Sequence, residues 1–343
     1  MVYLYGQQWT REQLIRQVGH LDQIAGIKLV EAADGSERGA RLFEVWTGSG
    51  LTFHVSADRA LDISACAYNG MALAWRSSVG DSHPAFTENH GLEWLRAFPG
   101  GLLATCGLDQ YGAPNVDNGD PMPLHGRLGS IPARYANYRT YWQDDEYCLE
   151  ITGEMRQTRV FGENLVLRRT ITTRMGSSVI TIHDRVTNEG FAPHPHMLLY
   201  HFNLGWPLLS AEARLVIDTE STEARDAIAE IGLADWSRFQ PPTSGYSEQV
   251  FRHRPRADSA GFASVQLENP ALGLGLRWRY DTSTLPYVFQ WKQMGEGVYV
   301  LGVEPANCGV IQGRATARER GDLPILQPRQ TREYHLEVEV ISV

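Results

Sequence analysis

The C-terminal stretch "EYHLEVEVISV" (residues 333–343) sets Tyr334, Leu336, Val338 and Val340 at every second position among charged neighbours. An apolar period of two belongs to a strand with one face in a core and the other in water. The same period returns upstream. In "LTFHVS" (51–56) Leu51, Phe53 and Val55 share a face, and in "SVITIHDRV" (178–186) Ile180, Ile182 and Val186 do. "ASVQLENPALGLGLRWRY" (263–280) reads as a hairpin that turns at Asn269-Pro270. With 33 Gly and 17 Pro as punctuation, so many short alternating runs predict an all-β sandwich or barrel.

Helix signals are few. In "TREQLIRQVG" (10–19) Thr10 and Gln13 have the spacing of a capping box, with Gly19 as a stop. A second short helix is expected in "DAIAEIGLADW" (226–236). No repeat or low-complexity linker divides the chain, so one domain over 1–343 is expected, with a small helical extension at 1–25. The irregular segment "GDSHPAFTENHGLEWLRAFPGG" (80–101) is long for a connection, and such segments often belong to binding sites.

The 343 residues carry a net charge of −9, which argues against a nucleic-acid or anionic-membrane surface. No apolar run is long enough to span a bilayer, and the N-terminus has no secretory pattern. The four cysteines, Cys66, Cys106, Cys148 and Cys308, form no CxxC pair. Reduced thiols and a cytoplasmic location are the expectation.

Candidate chemistry concentrates in three places. "PHPHMLLYHFNLGWPLL" (193–209) holds His194, His196, His201 and Asn203. On a strand His201 and Asn203 share one face, while His194 and His196 have the opposite parity. A cupin-like metal site would use a His-x-His pair with a nearby carboxylate, but no Asp or Glu lies between His194 and Ala211. "PLHGRLGSIPAR" (123–134) places His125 beside glycine in a turn-like setting, where a backbone can pass close to a ligand. In "YVLGVEPANCG" (299–309) Glu304 ends an apolar strand. A carboxylate there gains proton affinity and suits general-base work. Each residue also has a plain reading, as a solvated or packed side chain at a strand end.

Taken together and in order, these motifs resemble the aldose 1-epimerases and galactose mutarotase-like proteins. The resemblance rests on "HG" before the midpoint, "DRVTNEG" (184–190) followed by a His/Phe/Asn strand, and "GVEPAN" (302–307). "DRALDI" (58–63), "FPGGLLATCGLD" (98–109) and "QWK" (290–292) add to it. It implies a β-supersandwich that binds a monosaccharide and interconverts its anomers without metal or other cofactor. Glu304 would be the base, His201 the acid and His125 a sugar-binding histidine. Arg59 would contact sugar hydroxyls, and residue chemistry adds Asp62, Asp109, Asn203, Trp291 and Lys292 as candidates for the sugar pocket.

The usual acid histidine stands four residues before the Asn, whereas His201 stands two before Asn203, so His196 is the alternative acid. Strand parity favours His201. Glu304 and His201 are expected to flank one pyranose ring as carboxylate and imidazolium. A neutral sugar is the expected ligand, and Lys292 is the residue that would read a uronate or phosphate. A homodimer is compatible with the sequence. The rival readings are another sugar or keto-sugar epimerase on the same scaffold, and a carbohydrate-binding protein without activity.

Overall fold

In the computed structural model, which describes residues 1–343, strands account for 49% of the chain and helix for 10%. Two large antiparallel sheets dominate, one of eight strands and one of eleven. The C-terminal alternation places Thr331–Ser342 inside the smaller sheet, between Val179–Asn188 and Leu274–Asp281. Register sets Ile182 against Leu336 and Ile180 against Val338. All four are buried, in a core shared by both sheets. A slip of one residue would turn these side chains to water, so the period of two fixes the register. The predicted hairpin pairs Phe262–Asn269 with Leu274–Asp281.

Helices are short. Thr10 caps Arg11–Ile15 through the expected capping box with Gln13, but the helix stops at Arg16, before Gly19. The N-terminal extension is also not purely helical, because a hairpin of Val2–Leu4 and Gln7–Trp9 precedes the helix. Asp226 caps Ala227–Ile231. A third helix, Arg314–Arg320, was not foreseen, since "RATARER" has no apolar period and buries only Arg314 and Ala317. No helix is long and apolar enough to cross a membrane.

A buried ionic cluster joins the sheets. Arg169 is fully buried, with Nη2 2.7 Å from Asp184 Oδ2 and Nη1 3.0 Å from Asp62 Oδ1. The Tyr200 hydroxyl donates to Asp184, and Thr105 donates through its backbone N–H and its hydroxyl to Asp62. Removing water from these charges is costly, and the cluster persists because nearly every donor meets an acceptor. It anchors Tyr200 on the core face of the strand Leu199–Leu204. The neighbouring His201 is thereby held on the other face.

Candidate active site

That other face of the eleven-stranded sheet carries the site. The strands Leu103–Cys106, Leu199–Leu204, Val298–Ala306, Tyr287–Gly295, Gln249–Pro255 and Thr219–Ala224 lie side by side in that order. Ala104 pairs with His201, Glu304 with Phe289, Phe289 with Arg252, and Arg252 with Glu223. Between them, Leu199 against Ala306 and Phe202 against Val303 set His201 opposite Glu304. Directly opposed residues share a face. One row therefore runs from Ala104 through His201, Glu304, Phe289 and Arg252 to Glu223. The next row holds Asn203, Gly302, Trp291 and Val250.

His201 Nε2 lies 3.2 Å from Glu304 Oε1. Both side chains are only 4% exposed. Gly302 makes room for the carboxyl group, because a Cβ there would stand 2.5 Å from Glu304 Oε1. Burial pushes the Glu304 carboxyl well above its ordinary range, and the nearby Glu248 adds to this. Burial likewise pushes His201 well below the ordinary imidazole value. Both shifts favour the uncharged forms. These directions lean toward a carboxylic acid beside a neutral imidazole and run against the carboxylate and imidazolium expected from sequence. Either arrangement contains one titratable proton. At 3.2 Å no pyranose fits between the two groups, so they do not flank one ring as expected from sequence.

His125 completes the group, its ring centroid 5.5 Å from that of His201. It adopts φ of 58°, in the left-handed region that non-glycine residues seldom occupy. Its backbone N–H donates to Gly112 O, and its carbonyl accepts from Gly107 N–H. A Cβ on the following Gly126 would stand 2.2 Å from Gln110 O, which accounts for the glycine in "HG". Burial lowers His125 to about 4. Nδ1 of His125 and Nδ1 of His201 are buried without a hydrogen-bond partner.

These side chains line a cleft of about 500 Å³. Trp94, Phe98 and Trp291 form its aromatic walls. Trp94 stacks on Phe98 at 4.2 Å and lies 4.5 Å from His125, while Trp291 meets His201 edge-on at 5.6 Å. Such faces suit the C–H surface of a sugar. Trp291 Nε1 donates to Glu248 Oε2, and Arg225 Nη1 donates to Glu248 Oε1. Sequence reasoning missed Trp94, Phe98, Arg225 and Glu248 as individual residues. For the two aromatic residues a signal existed, since both lie in the irregular segment 80–101. Arg225 and Glu248 carried none.

Of the residues expected to touch the sugar, Trp291 lines the cleft and five others do not. Lys292 follows Trp291 by one residue and so faces the opposite side of the sheet. There its ammonium donates to Asp235 O and lies over Phe239. Arg59 sits behind Trp94 and Phe98, donating to Gly129 O and Ala97 O. Asp62 belongs to the ionic cluster with Arg169. Asp109 accepts from Arg314 and Gln157, away from the cleft. Asn203 shares the His201 face, but its amide donates to the carbonyls of Gly101 and His201.

The His194/His196 pair does not converge as a cupin site requires. His196 is fully buried, with one ring nitrogen on Leu108 O and the other on the Tyr334 hydroxyl, whereas His194 Nε2 lies 3.6 Å from Asp109. This also leaves His201, not His196, in the cleft.

The fold is that of the galactose mutarotase-like proteins. A candidate aldose 1-epimerase from Klebsiella pneumoniae superposes with a TM-score of 0.88 at 26% identity, covering 94% of this chain and 86% of that one. A galactose mutarotase-like protein from Clostridium acetobutylicum gives a TM-score of 0.63 at 11% identity, covering 94% and 100%. The galactose 1-epimerase of Lactobacillus acidophilus gives 0.59 at 10% identity, covering 93% and 99%. The chain belongs to the family DUF4432, a domain of unknown function, whose model matches residues 37–340. Comparison with curated proteins gives no match.

Proposed function

We propose that this protein is an isomerase that interconverts the anomers of a sugar by ring opening and closure. The observation that carries this reading is the buried contact between His201 and Glu304 on the floor of an aromatic-walled cleft. Ring opening needs a proton delivered to the ring oxygen and another removed from the anomeric hydroxyl. Both oxygens are bonded to the same carbon, so two groups in contact with each other can reach both.

The Glu304–His201 pair holds one proton and one proton-accepting site. As one member gives its proton to the ring oxygen, the other takes the hydroxyl proton, and the C1–O5 bond breaks. Rotation about C1–C2 turns the free aldehyde, and the two proton transfers then run in reverse on the other face. The pair ends each cycle as it began. His125 holds a hydroxyl of the sugar, and Trp94, Phe98 and Trp291 exclude water, which strengthens every charge interaction inside. Each positioned acid or base contributes on the order of 10²–10⁴-fold. The test is anomer exchange followed by NMR over a panel of sugars, with and without the protein.

A further inference from the structure

We propose that the sugar carries a phosphate ester, and that Arg225, Arg252 and Arg320 bind it. This rests on the anomer-exchange reading of the cleft. A recess of about 210 Å³ opens beside the cleft and shares Arg225, Val250, Ile311 and Gln312 with it. Three guanidinium groups and one carboxylate, Glu223, which is 57% exposed, line the recess, while Asp226 and Glu248 pair with Arg225 from the adjoining cleft. A neutral sugar hydroxyl calls for a mixture of donors and acceptors. Three forked cations instead match a tetrahedral oxyanion.

Each arginine keeps donors free for such a ligand. Arg225 uses Nε on Asp226 and Nη1 on Glu248, leaving Nη2. Arg252 uses Nη1 on Gly309 O and Nη2 on Glu223, leaving Nε. Arg320, at the end of the helix Arg314–Arg320, pairs with no carboxylate. The aims of Arg225 and Arg252 are therefore set by protein contacts, while part of each fork stays open.

The distances suit a sugar phosphate. Glu304, Phe289 and Arg252 occupy one cross-strand row, so the Arg252 backbone lies two strand spacings, about 10 Å, from that of Glu304. In the proposed pose the anomeric carbon of a hexose stands at Glu304 and the C5–C6 edge of the ring is turned along that row. Its 6-substituent then points toward the recess, within reach of long arginine side chains.

The test compares anomer exchange of glucose and galactose with that of their 6-phosphates, alongside calorimetric titration of the wild-type protein with inorganic phosphate. We expect kcat/KM for a 6-phosphate to exceed that of the neutral sugar at least tenfold. In R252Q/R320Q that ratio should fall at least tenfold, and phosphate binding should weaken in parallel. Arg320→Glu, an exposed change, provides the same readout should the double variant fail to fold. Equal turnover of neutral and phosphorylated sugars would overturn the phosphate assignment and leave the anomerase reading intact. No turnover of either, with phosphate bound and then lost in the variants, would support the recess and overturn the anomerase reading. No phosphate binding by the wild type would overturn the recess.

Discussion

His201 and Glu304 stand opposite each other on adjacent antiparallel strands, with Nε2 and Oε1 3.2 Å apart. Two residues more than a hundred positions apart thus meet through register alone. In the proposed mechanism the pair shares one proton, so neither member acts without the other. His201→Asn should lower anomer exchange by roughly 10²–10⁴-fold. His201→Asn/Glu304→Gln should be little slower than the weaker single variant, because the two groups act on one transition state. Multiplying losses in the double variant would show two independent groups. The limb that His201 contributes to the kcat/KM profile should lie below the ordinary imidazole value of 6.5, since burial drives it down, and the apparent values belong to the pair.

Gly302 has no side chain where Glu304 needs space. A methyl group would crowd Oε1 and also stand 2.9 Å from Trp291 Cβ. Gly302→Ala should therefore displace the carboxyl group while the sheet still forms. A shift of about 1 Å at such a centre costs on the order of 10²-fold in rate. Wild-type turnover by a folded Gly302→Ala protein would mean that the position of the carboxyl group is unimportant.

Asp62 belongs to the framework. Asp62→Ala leaves one fork of the buried Arg169 without its carboxylate and strips Thr105 of its acceptor. The expected loss is about 3 kcal/mol of stability, in the range for breaking a buried pair. Sugar KM should stay near the wild-type value at temperatures where the variant is folded. A raised KM with unchanged denaturant midpoint would return Asp62 to the sugar site.

Three buried histidines predict how acid destabilises the fold. Burial lowers His125, His196 and His253 from 6.5 to about 4. Between these values the unfolded chain binds more protons than the folded one, so stability rises with pH across the window. The contribution is complete above about 6.5 and lost as pH falls through 4. Each group is worth about 3 kcal/mol at most. Denaturant midpoints should drop steeply as pH falls from 6.5 to 4, with the raised Glu304 carboxyl opposing the three imidazoles as a single group of opposite sign. A flat midpoint over that window would show that these imidazoles become charged inside the fold.

The strands were legible because each large sheet has one face in the shared core, which imposes the period of two seen in Ile180, Ile182, Leu336 and Val338. His201, Glu304 and His125 could be singled out because they sit in short motifs, on two strands and in a glycine turn, although Glu304 lies inside the strand Val298–Ala306 and not at its end, the ladder running on through Pro305 and Ala306. Lys292 was misplaced by one step of strand parity, because "QWK" was taken as one motif although neighbours on a strand face opposite sides. Arg59 and Asp62 are charged residues whose partners, Gly129 O and Arg169, come from distant segments. Nothing local announces such a partner. Arg225 and Glu248 escaped notice for the same reason: each acquires its role from strand order.

The most direct measurement is anomer exchange by NMR for wild-type protein and Glu304→Gln at equal concentration, over neutral and phosphorylated hexoses. Glutamine preserves the shape of the side chain and much of its hydrogen bonding, but cannot exchange a proton with His201 or the sugar. The account predicts rapid exchange of at least one sugar by the wild type. Glu304→Gln should be slower by 10²–10⁴-fold, with sugar binding retained. Full exchange activity in Glu304→Gln would contradict it.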